Sequence, residues 1–433
     1  MRWLCVLGLV LLGCGDDDAE AESSESVPEP TVVEVPDPDP LEGLDDIEAL
    51  EREEPDPVLP RVSLDAVDEN IPPRGCAPFA EQAVRVWPRS GPANIVAVGT
   101  DGFVVVGYAP KAEGEGEEIF AVTIGPQQPP RPILRESLDR SLTVARTAAP
   151  GLGVIDDAHV GIVTTDGTAT VRYAVLQTGG RLDPWRLVGT HADQRFTPAM
   201  ALRGGRQLVA YTDGGGEFMR VRAVLFDAAG HELGRHDLTP ASMGAAAPTL
   251  VSGSDTLAFL DPREATSTVY AVDVTADPPS REVLVPLTNV FEPAVLAPVQ
   301  VGETTLVGYT AVGRAAATAV GLIAVKDGSA EGPVPLVPSQ GYGMLHVDGA
   351  AGPSRAVFVA DRPQGEDRNA SREAVAVVVE PSSPMVQGEP LKLVAPDGTG
   401  RWARITRHVD GTFAVVLTGG EGVYVHLLRC DAG

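Results

Sequence analysis

The chain has 433 residues, 43 % of them hydrophobic but only 5 % aromatic, with 60 acidic against 33 basic side chains and a formal net charge of −27. That is enough chain for one large domain or two ordinary ones, and a charge of that sign argues against wrapping nucleic acid or docking on anionic lipid, both of which need a basic footprint. Forty-seven Gly and 38 Pro disfavour long helices, one residue being too free and the other lacking an N–H, which leaves a turn-rich, all-β body.

The acidity is local. Residues 1–74 hold 21 Asp or Glu against four Arg, a net of −17, so 75–433 carry only −10. The first fourteen residues, MRWLCVLGLVLLGC, place one cation before an apolar run and read as an export signal. The run is too short for a bilayer span, which needs about 20 apolar residues. Its end, Leu11-Leu12-Gly13-Cys14, resembles the lipobox of bacterial lipoproteins. That resemblance implies cleavage before Cys14, a lipid thioether on its sulfur and attachment to a membrane through that anchor. Because Gly15, not Asp, follows the cysteine, it also implies the outer rather than the inner membrane of the cell envelope.

Residues 15–75 are about half acidic or proline. With so little to bury they are expected to stay disordered, as a tether spanning roughly 45 Å or more if it behaves as a flexible coil. Within it Leu41, Leu44, Ile47 and Leu50 are spaced for a short amphipathic helix or docking peptide; the simpler reading is a transient turn, since so short a helix is marginal alone. The expected layout is a signal at 1–13, a lipidated tether at 14–75 and a folded domain at 76–433.

From residue 83 onward short β-branched runs alternate with Gly, Pro and Asp, without helical period. One run recurs seven times, at 103–108 (FVVVGY), 159–164 (HVGIVT), 207–212 (QLVAYT), 256–261 (TLAFLD), 305–310 (TLVGYT), 355–360 (RAVFVA) and 412–417 (TFAVVL), at intervals of 48 to 57 residues. Before the run lies a strand and a tight turn, such as Asp101-Gly102, Gly204-Gly205 or Asp410-Gly411; a two-residue hairpin needs such residues because its central positions sit at positive φ. After it comes a third strand, and in six units a weaker fourth. Four antiparallel strands repeated seven times predict a seven-bladed β-propeller.

The seventh unit ends after its third strand. Residues 83–87 (AVRVW) precede the first repeat without a partner, so they are assigned as the missing outer strand of the last blade, which removes an open edge. The cysteines bear on this closure. If Cys5 leaves with the signal and Cys14 takes lipid, Cys76 and Cys430 remain, and the closed ring would make them neighbours able to form a disulfide in an exported compartment; the alternative is two free thiols.

Familiar catalytic patterns are missing from the sequence. No lysine follows a glycine as a phosphate loop requires, and the one Gly-x-Gly-x-x-Ala match, 398–403, leads into a strand where a dinucleotide site needs a helix. His231, Glu232 and His236 have the histidines five apart on a predicted strand, not four apart on a helix. The other histidines, His346 among them, are scattered over the blades without metal-ligand spacing and read as surface or satisfied core residues. No sialidase-type Thr-Trp occurs, and the four tryptophans do not recur once per blade. No cofactor is expected.

One constellation remains. Asp166, Asp213, Asp261 and Asp361 follow the second strand of blades two, three, four and six, and a ring of carboxylates on one face could hold a cation or a basic partner. The simpler explanation is that Asp suits the exit from a strand into a turn. The leading functional reading is therefore a monomeric, lipid-anchored, non-catalytic binding or scaffolding module for a protein or glycan. The alternatives are a propeller hydrolase or lyase acting on polysaccharide through paired carboxylates, and a structural subunit of an outer-membrane assembly.

Overall fold

The computed structural model describes residues 75–430 apart from short segments, the longest of them 139–147. The segment expected to act as a signal, Cys14 and the acidic stretch lie outside the described residues.

Seven antiparallel sheets follow one another along the chain, and in each of the first six the strands stack in sequence order from the inside outward. Blade 1 shows the plan: Ala93–Val98, Gly102–Pro110, Glu117–Gly125 and Gln128–Leu138 pair consecutively. The innermost strands of the later blades are Gly151–Asp156, Ala199–Arg203, Ala246–Leu250, Pro293–Val301, Val347–Ala351 and Arg401–Arg407. Each touches the innermost strand of the next blade, and the last, Arg401–Arg407, touches Ala93–Val98, so the ring closes. The result is the seven-bladed propeller that the repeat predicts. Blade 5 carries one addition, Gly341–Tyr342, paired with its third strand.

The core consists of seams rather than one mass. Seven apolar clusters are found among the described residues, each formed by two adjacent blades. The second strand of blade 1 shows why its sequence is apolar at every position: Phe103 and Val105 enter the seam with blade 7, whereas Val104, Val106 and Tyr108 enter the seam with blade 2. Side chains alternate across a strand, so a strand covered on both faces loses the usual polar alternation. Close approach of neighbouring blades requires small residues at the axis. A Cβ on Gly349 in the inner strand of blade 6 would stand 2.5 Å from Val299 and 2.8 Å from the Phe358 ring.

The last blade is completed from the other end of the chain, and its outer strand is in two pieces. Val84–Trp87 pairs with the start of Val423–Cys430 and Cys76–Pro78 with its end, Cys76 lying opposite Cys430 and joined to it by a disulfide. The split differs from the single strand expected at 83–87. Trp87 then stacks on Phe120 of blade 1 at 4.4 Å, so the closing segment also packs against the next blade.

Candidate functional site

Asp213 and Asp261 end the second strands of their blades, Asp166 directly follows its strand, and Asp361 lies two residues inside the end of Ala356–Pro363. Asp166 accepts from Thr170 N at 3.0 Å and faces Arg172 Nη2 at 3.2 Å. Asp213 lies 2.7 Å from Arg220 Nε and 3.3 Å from Arg222 Nη1, both arginines being shared with Asp237. Asp261 is buried opposite Thr268. Asp361 is fully buried, with Arg372 Nη1 4.0 Å from its Oδ2. The third strand thus places an arginine beside the carboxylate in blades 2, 3 and 6. Glu118 with Arg89 and Arg135, and Glu373 with Arg362 and Lys392, repeat the device with the acid on the third strand. The four aspartates are not brought into one cluster, and no group of three His, Cys, Asp or Glu among the described residues could hold a metal ion.

A different set of polar groups converges at the axis. The innermost strands enclose a cavity of about 260 Å³, lined by all seven blades from Asn94 and Ile95 of blade 1 round to Arg404 of blade 7. Most of the lining is small or apolar, as crowding at a propeller axis demands. His346, Asp348, Trp402 and Arg404 depart from that pattern, as does Arg195, whose guanidinium is paired with Asp193. Asp348 and Arg404 occupy the inner strands of blades 6 and 7, 56 residues apart and so about one repeat from each other.

The Arg404 side chain reaches from blade 7 to the chain entering blade 3, where its Nη2 donates to Thr197 Oγ1 at 3.0 Å. Thr197 Oγ1 also accepts from Ala149 N at 3.2 Å, which leaves its own hydroxyl proton available. Asp348 Oδ2 accepts from Ile405 N at 2.9 Å. Burial pushes the Asp348 carboxyl above its ordinary range, opposed by Arg404 and by the Ile405 and Gly349 N–H groups. His346 is 6 % exposed, and neither ring nitrogen has a hydrogen-bond partner. Burial, and then the Arg404 charge, hold its imidazole well below the usual histidine range against a smaller pull from the Ala403 carbonyl, so the ring is neutral, with one nitrogen a donor and the other an acceptor.

Behind this lining Asp361 supports the backbone. The pairing of Arg401–Arg407 with Phe413–Thr418 is bulged between Arg401 and Arg404, and Trp402 within the bulge has φ 56°. That conformation costs a non-glycine residue about 1–2 kcal/mol. Trp402 N donates to Asp361 Oδ2 at 3.2 Å, while no hydrogen bond reaches Oδ1. Burial raises the Asp361 carboxyl to about 7, opposed by the Trp402 N–H, Arg372, the Ala403 N–H and Arg404. Trp402 lines the cavity, with the Arg401 guanidinium 4.4 Å from its ring centre. Perturbed titrating groups around a concavity mark a candidate site with a physical basis.

Sequence reading placed His346 among the scattered histidines and did not single out Asp348, Trp402 or Arg404. A usable signal was present: charged residues in inner strands, VDGAA and RWARITR, where AAPTL in blade 4 is uncharged.

No protein-family model matches the chain, and no curated protein matches it. Solved structures do share its fold. The chain is similar to the BP39L lectin from Burkholderia pseudomallei, with a TM-score of 0.57 and 13 % identity over 79 % of this chain and 97 % of the lectin. It is also similar to a PL25 ulvan lyase, a polysaccharide lyase bound to -[GlcA(1-4)Rha3S]-, with a TM-score of 0.52 and 11 % identity over 80 % of this chain and 96 % of the lyase. At such identities the likeness is one of architecture: the protein is a β-propeller.

Proposed function

We propose that this protein is a lipid-anchored envelope protein whose propeller binds a glycan or protein partner at its central channel, without chemically changing it. The observation that carries the reading is His346: a neutral imidazole more than nine-tenths buried, lining the channel with both nitrogens unpartnered. A buried polar group left without a partner costs about 1–3 kcal/mol, which a bound ligand would recover. The Arg404 fork supports the same reading, since the Thr197 hydroxyl engages one of its five N–H donors. A lectin and a glycan-bound lyase with this fold agree with a saccharide as the partner. The anchor rests on the lipobox-like Leu11-Leu12-Gly13-Cys14.

The second reading is a polysaccharide lyase or hydrolase, favoured by a histidine beside a carboxylate of raised pKa in one cavity. A glycan array probed with the full chain tests the first reading. Wild type is expected to retain specific glycans, and His346→Ala to lose them while keeping the wild-type melting temperature. Equal retention by both proteins would refute the channel as the site. Shortened or unsaturated products after incubation with the retained glycans would favour the enzyme instead.

A further inference from the structure

The lining of the channel also restricts what kind of ligand fits, on the reading that the channel is the binding site. Both donors and acceptors line it. Arg404 and the Thr197 hydroxyl donate, Asp348 accepts, and neutral His346 does one at each nitrogen. Formal charge is nearly balanced in the lining, where the Arg404 guanidinium stands with the Asp348 carboxyl, the Asp361 carboxyl lies behind, and the second arginine, Arg195, is paired with Asp193 at 2.6 Å.

A carboxylate ligand would suit Arg404 but would face Asp348 and leave the acceptor nitrogen of His346 without a proton to take. An ammonium ligand would suit Asp348 and His346 but would face Arg404. A hydroxyl both donates and accepts, so two neighbouring hydroxyls on one ring match the mixed lining without adding charge to it. The half-buried Trp402 indole gives the same cavity an apolar surface for the C–H face of such a ring. The cavity, at about 260 Å³, falls just under the roughly 300–1,000 Å³ typical of pockets for drug-sized ligands, which suits one ring rather than an extended chain.

We infer that the channel binds a single neutral sugar ring, free or at the end of a glycan, through a vicinal diol held between Arg404 and His346 and a C–H face laid against Trp402. Arg404 supplies the donor pair that places one hydroxyl, and His346 reads the next. Asp361 is a positioning residue, acting through the Trp402 backbone.

Calorimetric titration of the full wild-type chain with three sets of methyl glycosides tests the assignment: neutral hexosides, the corresponding uronides, and the corresponding 2-amino-2-deoxy hexosides. The expected result is saturable binding of at least one neutral glycoside, with its uronide and amino counterparts about tenfold weaker or worse, the cost of an unmatched buried polar or charged group. Arg404→Lys and His346→Ala should each weaken the neutral ligand by a similar factor, and Arg404→Lys keeps the charge while removing the fork. Tighter binding of a uronide or an amino sugar would overturn the neutral-ring assignment and leave the channel as a saccharide site. Binding of a neutral sugar unaffected by both substitutions would overturn the assignment of the residues. Absence of binding in all three sets would overturn the inference together with the saccharide reading beneath it. The comparison among ligands uses wild-type protein alone, so it stands even if a variant fails to fold.

Discussion

Replacing Asp361 by Asn should remove a pH dependence built into the blade 6–blade 7 seam. Asp361 is fully buried and keeps its proton to about 7 in the folded protein, against an ordinary value of 3.8. Between those two values the folded chain binds a proton that the unfolded chain has released, so this group's contribution to stability is full below 3.8 and is lost as pH rises through about 7. At 1.36 kcal/mol per pH unit, the stretch from about pH 5 to about pH 7 corresponds to roughly 3 kcal/mol. The groups facing it are Arg372 on the third strand of blade 6, Arg404 on blade 7 and His346, whose main-chain carbonyl receives the Asp361 N–H. These remain in the variant. Buried Asp348 shares the sign of Asp361, and His346, with its pKa lowered, has the opposite one, so comparing the two proteins at each pH cancels both. Asn retains a carbonyl oxygen for Trp402 N but cannot ionise. The assay is denaturant unfolding at a series of pH values with the disulfide intact. The stability of the variant relative to wild type should rise by roughly 3 kcal/mol between about pH 5 and about pH 8. A relative stability that stays flat across the series would mean that Asp361 has the same pKa folded and unfolded, and the dry burial of its carboxyl behind Trp402 would have to be abandoned.

Other consequences follow from the closure, the seams and the anchor. Reducing Cys76–Cys430 opens a loop of 354 residues, worth about 5–6 kcal/mol of unfolded-chain entropy in the simple model, so the melting temperature measured with and without reductant should drop markedly; an unchanged melt would refute the clasp. Phe358→Ala should cost about 3–5 kcal/mol in denaturant unfolding, because Phe358 is buried in the blade 5–blade 6 seam against Gly308 and Gly349. Asp213 already has Arg220 and Arg222 as partners, so calcium should shift the melting of wild type and Asp213→Ala equally, and a shift confined to wild type would show a cation site. Cys14→Ser should move the protein from the membrane to the soluble fraction on cell fractionation if the lipobox-like tetrad directs lipidation, and an unchanged distribution would count against the anchor.

The propeller was readable in the sequence because its signals are local. The FVVVGY-like run returns about every fifty residues, and turns such as Asp410-Gly411, with Gly411 at φ 90°, close a hairpin by backbone conformation alone. The pairing of Cys76 with Cys430 could be reached by elimination among four cysteines. The split in the closing strand could not, because it depends on how 76–78 and 84–87 divide the length of Val423–Cys430. The channel was hidden for the same kind of reason. His346, Asp348 and Arg404 meet only because blades 6 and 7 stand side by side at the axis, and each residue alone is an ordinary polar residue at the start of or within a strand. The row of aspartates was visible but ambiguous. Whether Asp213 faces a ligand or an arginine is decided by Arg220 and Arg222 across the strand pair, a register that sequence does not print.

A crystal structure of the protein with its tightest-binding saccharide tests the central claim most directly. The account predicts one sugar ring in the axial channel, its hydroxyls within hydrogen-bonding distance of the Arg404 guanidinium and the His346 imidazole. A ligand bound on the outer strands or between blades, with the channel lining unchanged, would contradict it.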